Sequence, residues 1–289
     1  MSVQAYFPGC SLESSSREFD KSTHLVCKAL DIDLKELPDW SCCGAHAAHH
    51  TRHNLSTILS ARNLSIATKE GYDSIMAPCP ACYNRLKSAQ IELAECDKKQ
   101  AAAREDFNFQ INPDLRVFSI LEFLAGIDKA VLQAKVKKNL KELKVAAYYG
   151  CLLVRPPKLV NFDDPESPVT MDEILTAVGA TVVPWDYKVQ CCGASLSVSD
   201  PDIQAKLCAD ILEMAKLAGA QAIVVACPLC HANLDLKQGQ INRRMSTHYD
   251  IPIFYLTQII GLAWGFSPQE LEIDKHMVDS MSLLTAVLK

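Results

Sequence analysis

One arrangement of five cysteines occurs twice along the 289 residues, and it limits what the chain can fold into more than any other feature. In each copy a single cysteine is followed by an adjacent pair and then by a Cys-x-x-Cys. The gap before the pair is 31 residues in the first copy and 39 in the second, and the gap after it is 35 and 34. The ten residues are Cys10, Cys42, Cys43, Cys79 and Cys82 in the first copy, and Cys151, Cys191, Cys192, Cys227 and Cys230 in the second. The agreement of these spacings predicts an internal duplication.

The residues that flank these cysteines repeat as well. Tyr6-Phe7-Pro8-Gly9 precedes Cys10, and Tyr148-Tyr149-Gly150 precedes Cys151. A Gly-Ala step follows each adjacent pair, and a proline follows the first cysteine of each Cys-x-x-Cys. One departure is the tyrosine that stands before the glycine in the second copy, where the first copy has proline.

The duplication divides the chain into a first half, residues 1–143, and a second half, residues 144–289. We expect each half to form one module, because two domains of ordinary size suit this length. A polar, lysine-rich helix is predicted at the boundary, over residues 134–143. The longer first gap of the second half comes from an insertion, residues 155–168, whose Pro and Asp content predicts a surface loop at a possible partner contact.

Hydrophobic patterning alternates between short strands and longer helices in both halves. The predicted strands are residues 3–7, 74–77, 144–149 and 222–226, and the predicted helices are residues 15–30, 54–69, 203–217 and 229–240. This alternation predicts an α/β fold of two repeated halves, each with a small, mainly parallel sheet flanked by helices. The cysteines would then lie in loops just past the strand ends, where open α/β sheets place their ligands.

Composition and charge exclude several classes of partner. The formal net charge of −5 argues against a surface that binds nucleic acid. The first residues show no secretion signal, so we expect the chain in the cytoplasm. The longest apolar stretch, residues 251–266, contains Thr257 and Gln258 and is shorter than a membrane span, so direct membrane insertion is not expected.

Thirteen cysteines in a reducing cytosol indicate metal ligands or redox thiols rather than structural disulfides. Five per half is one more than tetrahedral zinc or an ordinary cubane cluster takes. Both sulfurs of an adjacent pair reach one centre only if the backbone turns sharply, which Gly44 and Gly193 permit. The pattern favours polynuclear iron–sulfur binding, and zinc in one or both halves remains the alternative. Cys27, Cys96 and Cys208 lie in helical segments without repeated partners and are interpreted as small buried side chains.

The layout Cys-x31-Cys-Cys-Gly-x34-Cys-Pro-x-Cys of the first half, with its counterpart in the second, resembles the duplicated cysteine-rich CCG domain of the B subunit of heterodisulfide reductase. The resemblance implies two [4Fe-4S] clusters of a non-cubane kind, with all ten repeated cysteines as the cofactor and metal ligands. It also implies an oxidoreductase that acts on sulfur groups: the catalytic subunit that cleaves or forms the disulfide of coenzyme M and coenzyme B, or a related sulfur substrate, in one-electron steps.

The same resemblance implies partner subunits. Electrons would arrive through the ferredoxin-like C subunit and the flavin-bearing A subunit of the same complex. The chain has no ferredoxin-type run of four cysteines and no Gly-rich dinucleotide motif after its first strand, so it must take electrons from another polypeptide.

Two other functions stay open at this point. CCG domains also occur in 2-hydroxyacid dehydrogenase-type complexes, where the chain would be an electron-relay subunit that binds no substrate. A zinc-stabilised scaffold without redox function is the third interpretation, and five complete ligands in both halves argue against it.

A group of histidines and three arginines are further candidates. His46, His49, His50 and His53 follow the first adjacent pair, and one of them could donate a proton to a departing thiolate, although a structural role is equally compatible with the sequence. The three arginines that could bind an anionic substrate tail are Arg52, Arg62 and Arg85, and the sequence does not choose among them.

Overall fold

The structure is a computed structural model that describes residues 2–46, 48, 51, 53–95 and 109–288, with only the backbone of His53 described. In the first half the strands are β1 (Ser2–Tyr6), β2 (Ile32–Glu36), β3 (Ser74–Met76) and β4 (Arg116–Phe118). The helices are α1 (Gly9–Glu13), α2 (Arg17–Ala29), α3 (His53–Lys69), α4 (Pro80–Glu95), α5 (Ile120–Ala125) and α6 (Lys129–Ala134).

The second half repeats this order of strands and helices. Its strands are β5 (Lys144–Tyr148), β6 (Thr181–Val182), β7 (Ala222–Val225) and β8 (Ile253–Tyr255). Its helices are α7 (Pro157–Val160), α8 (Thr170–Ala177), α9 (Pro201–Leu217), α10 (Pro228–His231), α11 (Gln238–Met245), α12 (Leu256–Ala263) and α13 (Met281–Val287), with 3-10 turns at Ala194–Leu196 and Ile273–Lys275 and a π-helical turn at Ala232–Leu236.

Each half contains a four-stranded sheet in which all the observed strand pairs are parallel. The strand orders are β2-β1-β3-β4 and β6-β5-β7-β8, which are equivalent under the duplication. The central strands are apolar and buried along most of their length, as strands covered by helices on both faces must be. The predicted α/β architecture of two repeated halves is confirmed.

Two helices each pack on the half opposite to their own, and these contacts join the two halves. Helix α5, which follows the last strand of the first half, packs on α8 of the second half, and its counterpart α12 packs on α2 of the first. At the second contact the Ser22 and Thr257 hydroxyls lie 2.7 Å apart, and the rings of Phe19 and Tyr255 stack with centroids 4.2 Å apart. One continuous apolar core therefore runs through both halves, while the division at residue 143 stays a prediction.

The boundary segment and the insertion differ from the prediction. Residues 135–143 are not helical: helix α6 ends at Ala134, and the N–H groups of Lys137 and Lys138 donate to the carbonyl of Ala263 at 2.8 and 3.0 Å. The predicted helix is wrong because the end of α12 leaves a carbonyl without an intrahelical donor, and this segment supplies the donors. The insertion contains α7 and packs on α4 of the first half, with Val160 buried.

Across the part of the chain that the structure describes, none of the helices has both the length and the apolar character required to span a bilayer.

Candidate metal centres

The repeated cysteines lie at the carboxyl edge of each sheet, in the loops and first helical turns that follow the strands. We call Cys10, Cys42, Cys43, Cys79 and Cys82 the first site, and Cys151, Cys191, Cys192, Cys227 and Cys230 the second site. Because parallel strands end at the same edge, residues far apart in sequence converge there. None of the twelve described cysteines forms a disulfide.

The five sulfurs of the first site are brought into mutual contact. The Sγ atoms of Cys43 and Cys82 lie 3.3 Å apart, and the Gly44 N–H donates to Sγ of Cys42 at 3.4 Å. The pKa of Cys42 is lowered to about 2, first because the Cys10 thiol donates a hydrogen bond to its sulfur and next because Cys43 does. Cys10 and Cys42 are exposed and the other three are buried. The hydrogen bonds between the thiols thus stabilise the thiolate form of the sulfur that accepts them.

The second site repeats this geometry. The Sγ atoms of Cys192 and Cys230 lie 3.5 Å apart, and the Gly193 N–H donates to Sγ of Cys191 at 3.3 Å. A hydrogen bond from the Cys151 thiol is the main cause that lowers the pKa of Cys191 to about 6. The structure therefore brings together all five predicted cysteines in each half.

Glycines make both sites possible by letting the backbone approach the sulfurs. Gly9 and Gly150 have φ of +69° and +65°, and a Cβ atom on them would lie 2.7 Å from Sγ of Cys82 and 3.0 Å from Sγ of Cys230. The glycines of the Cys-Cys-Gly steps also have positive φ, +76° and +69°, in agreement with the sharp turn expected from the sequence.

The residue whose side chain donates a hydrogen bond to the backbone of the adjacent cysteine pair differs between the halves. In the first half the Ser60 hydroxyl donates to the carbonyl of Cys43 at 3.2 Å, and in the second half the Cys208 thiol donates to the carbonyl of Cys192 at 3.3 Å. Cys208 is fully buried in α9, and burial raises its pKa. Cys27 is likewise buried, in α2, so both are the small buried side chains predicted, while Cys96 lies outside the described residues.

The two sites are neighbours across the contact between the halves. Helix α1, which carries Cys10, lies against α10, which carries Cys230. A cleft with a volume of about 290 Å³ opens beside the second site. Its lining residues are the five cysteines of the second site with Tyr149, Leu152, Ala194, Ser195 and Leu229 from the second half, and Ala45, His46, Pro80, Ala81, Asn84 and Arg85 from the first.

The residues present fit an iron–sulfur group. Each site offers five converging thiols and no carboxylate or imidazole within the set, which is the donor chemistry that iron–sulfur clusters use. At the second site all five cysteines line the cleft together with residues of the first half, so a group held there would lie beside both halves. The space beside the sulfurs is kept clear by glycine, since a Cβ at position 9 or 150 would crowd them.

A partly buried polar network holds the loops of the second site, and sequence reasoning missed it. The Tyr149 hydroxyl donates to Oδ2 of Asp172 at 2.6 Å, and Nζ of Lys188 lies 2.7 Å from Oδ1 of the same carboxylate. The backbone carbonyl of Lys188 accepts from the N–H groups of Tyr149 and Gly150, at 2.9 and 3.1 Å. The network ties the loop before Cys151 to the loop before Cys191. The tyrosine that replaces proline before Gly150 was the only signal in the sequence.

The structure describes the side chains of three of the candidate histidines and arginines: His46, Arg62 and Arg85. His46 is exposed, lines the cleft and contributes to lowering the pKa of Cys42. His49, His50, Arg52 and the side chain of His53 lie outside the described residues. Arg62 pairs with Asp39, and Arg85 lines the cleft.

Two imidazoles and a carboxylate meet behind the second site, with ligand atoms of His231, Asp235 and His276 within 4.8 Å of one another. The Gln258 side-chain oxygen accepts a backbone N–H at 2.9 Å, so its amide nitrogen faces Nε2 of His276 at 3.0 Å and donates to it. The His276 ring therefore carries its proton on Nδ1, and Asp235 accepts from the N–H groups of residues 277–278. These contacts favour a structural role, in which the segment after His276 is tied to the π-helical turn that follows α10.

Comparison with known proteins agrees with the duplicated cysteine geometry. The model of the CCG family, described as a cysteine-rich domain, matches residues 4–87 and 145–235. The B subunit of a ferredoxin/F(420)H(2)-dependent CoB-CoM heterodisulfide reductase from Methanosarcina acetivorans is 32% identical over 99% of this chain and 97% of its own length. The B subunit of a ferredoxin:CoB-CoM heterodisulfide reductase from Methanosarcina mazei is 31% identical over 99% and 97%.

Two further similarities concern other proteins. The 8-methylmenaquinol:fumarate reductase membrane anchor subunit of Wolinella succinogenes is 32% identical over 96% of this chain and 98% of its own length. A hypothetical protein from Helicobacter pylori shares the fold, with a TM-score of 0.78 and 14% identity over 97% of this chain and 53% of that one. The relatives from Methanosarcina are subunits of oxidoreductase complexes, which implies partner subunits. With a family match over both halves and near full-length relatives, the chain belongs to the family of heterodisulfide reductase B subunits, proteins with a duplicated CCG cysteine-rich domain.

Proposed function

We propose that this chain is the catalytic iron–sulfur subunit of a heterodisulfide reductase-like complex, with one non-cubane [4Fe-4S] cluster on each cysteine site. The observation that carries the proposal is a cleft lined by all five cysteines of the second site together with residues of the first half. A relay centre needs no such cleft, whereas a centre that acts on a small molecule does. The five cysteines of each site would be the cluster ligands.

The reaction sets the number of electrons and protons. Cleavage of one disulfide bond takes two electrons and two protons and releases two thiols, and an iron–sulfur cluster supplies electrons one at a time. Two sites joined through the contact of α1 with α10 suit that count, since each can hold one electron. The electrons would come from a ferredoxin-like subunit and a flavin-bearing subunit of the same complex.

The residues of the chain itself would bind and orient the sulfur substrate. The cleft walls are largely apolar, with Leu152, Leu229 and Pro80 among them, and such walls exclude water from the sulfur atoms. His46 lies at the cleft on the side of the first half, where its imidazole would hold a proton for a departing thiolate. Cys191 is the exposed cysteine of the second site, whereas Cys151 is half-buried and the other three are buried.

A single-turnover experiment tests the proposed reaction. The anaerobically purified complex is reduced with two electrons per chain, mixed with a disulfide, and the thiols released are counted. We expect two thiols per disulfide and reoxidation of the clusters in the same time course. A Cys191→Ala variant should release none, while its first-site spectrum stays. Reoxidation by other acceptors with no thiol release would contradict the proposal.

A second candidate function is supported by one comparison. The relative from Wolinella succinogenes is named for a quinol:fumarate reductase and not for a sulfur reaction. The chain would then relay electrons between partner subunits, as in the dehydrogenase-type complexes considered above. In that case, thiols would leave the spectra of both sites unchanged, and Cys191→Ala would interrupt electron flow to any terminal acceptor.

A further inference from the structure

One face of helix α3 presents three buried polar side chains to the adjacent cysteine pair of the first site. They are Ser56, Ser60 and Asn63, and their spacing of four and three residues places them on the same side of a helix. All three are at most 1% exposed. The Ser60 hydroxyl donates to the carbonyl of Cys43 at 3.2 Å, so this polar face is packed against the ligand loop.

The same face fixes the backbone on both sides of the pair. The Asn63 side chain accepts from the N–H of Ser41 at 2.9 Å and donates to the carbonyl of that residue at 2.8 Å. The backbone of Ser56 lies against Gly44, since a Cβ atom on this glycine would come within 3.1 Å of the serine Cα. The N–H of Gly44 in turn donates to Sγ of Cys42 at 3.4 Å. Ser41 therefore stands immediately before the pair, and Ser56 lies beside the residue that follows it.

Two hydroxyls of this region are buried without a partner among the described residues. The Oγ atoms of Ser41 and Ser56 are shielded from solvent and make no hydrogen bond there. A buried donor that stays unpaired costs free energy, so each of these hydroxyls requires an acceptor. The acceptors that the first site gains with an iron–sulfur group are its sulfur atoms, which carry negative charge.

The corresponding groups of the second half are already paired. A Cβ atom on Gly193 would come within 3.2 Å of Cα of Gln204, so Gln204 of α9 takes the place of Ser56. Its amide nitrogen donates to Sγ of Cys208 at 3.1 Å, and the Cys208 thiol donates to the carbonyl of Cys192 at 3.3 Å. The unused donors thus belong to the first site.

We propose that the Ser41 and Ser56 hydroxyls donate hydrogen bonds to sulfur atoms of the iron–sulfur group at the first site and raise its midpoint potential. This assignment rests on the iron–sulfur group of the proposed function, and it adds two residues that tune one site and not the other. Hydrogen bonds to sulfur stabilise the reduced state of a cluster, because that state carries more negative charge.

Serine-to-alanine exchange in the anaerobic holoprotein tests the role of the two hydroxyls. Ser41→Ala, Ser56→Ala and the double variant are titrated against potential while EPR follows both sites. Each single variant should lower the midpoint potential of the first site, the double variant should lower it further, and the second site should not change. Ser41→Thr keeps a hydroxyl and should keep the potential of the parent.

A serine of the same helix provides the matched control. Ser65 is 1% exposed, and its hydroxyl oxygen accepts from the N–H of Gln110 at 3.1 Å, so its donor-acceptor role lies away from the cysteine pair. Ser65→Ala should leave both midpoint potentials unchanged.

A second readout detects the hydrogen bonds themselves. After exchange into heavy water, electron–nuclear double resonance of the first-site signal should show deuteron couplings that are lost in the alanine variants. An unchanged first-site potential with unchanged couplings in an alanine variant that holds full iron and sulfide would overturn the role of that hydroxyl and leave the proposed function intact. Equal shifts at both sites would also overturn it, because the substitution would then act through the fold. Zinc without sulfide in the parent would overturn the proposed function itself.

Discussion

The first and second sites share their sulfur frame and differ in what surrounds it. The Sγ atoms of Cys43 and Cys82 are 3.3 Å apart and those of Cys192 and Cys230 are 3.5 Å apart, and the glycine before each site has nearly the same φ. Around this frame, Pro8 corresponds to Tyr149, and Ser60 corresponds to Cys208. The duplication has kept the ligand loops while the supporting layer has diverged. Two sites with the same donors therefore have different surroundings.

The largest expected effect comes from removing one buried sulfur from either site. Cys43→Ala and Cys192→Ala should each lower the iron content from about eight to about four per chain, because one site of each variant no longer has its full set of five ligands. EPR should show which signal disappears. If either variant lost all its iron, the two sites would not be independent and the comparison between them would fail.

The next effect distinguishes the two glycines that approach the sulfurs. Gly9→Ala should destabilise the chain by about 2–4 kcal/mol, because alanine is strained at positive φ and its Cβ would press on Cys82 at 2.7 Å. Gly150→Ala, with its Cβ at 3.0 Å from Cys230, should cost about 1–2 kcal/mol. Thermal unfolding of the holoprotein at one fixed scan rate provides the measurement. A larger effect at Gly150 would reverse the expected order.

Removal of the Tyr149 hydroxyl affects the second site alone. Tyr149→Phe leaves a half-buried Asp172 oxygen and the N–H of Met171 without their partner, which should cost about 1–3 kcal/mol. The second-site EPR signal should broaden as the loops before Cys151 and Cys191 loosen, and the first-site signal should not change. Tyr6→Phe, which removes the hydroxyl that donates to Oδ1 of Asp20 in the first half, is the matched control. An equal change at both sites would show that the network supports the whole fold.

The smallest effect comes from exchanging the two supporting residues. Ser60→Cys and Cys208→Ser each replace one weak donor to a carbonyl by another, so stability should change by less than about 1 kcal/mol. Each exchange should still shift the midpoint potential of its own site, because hydrogen bonding near the sulfurs tunes that potential. Redox titration followed by EPR measures both sites at once. A shift at the opposite site would contradict the assignment of each residue to one centre.

Much of the fold and of the site follows from local pattern in the sequence. The strands that lead into Cys10 and Cys79 are short apolar runs, and the cysteines that follow them could be placed at one sheet edge because parallel strands end together. The spacing of the ten cysteines was enough to group them by fives. These features depend on neighbouring residues or on a repeat, both of which one sequence displays.

The remaining features depend on contacts between distant segments, which leave no periodic signal. Residues 135–143 look helical in isolation but donate to the end of α12. The bond from Asn84 to the backbone of Arg155, which holds α4 at the cleft, joins residues 71 positions apart. Tertiary contacts of this kind override local propensity, so neither the loss of the boundary helix nor the place of Arg85 could be inferred beforehand.

The central claim, two iron–sulfur sites built from five thiolates each, is tested most directly by the metal and sulfide content of the anaerobically purified chain. Iron, acid-labile sulfide and zinc are measured per polypeptide, for the parent and for the Cys43→Ala and Cys192→Ala variants. The account predicts about eight iron, about eight sulfide and no stoichiometric zinc in the parent. One or two zinc per chain without sulfide would contradict it and leave the cysteine sites as structural zinc centres.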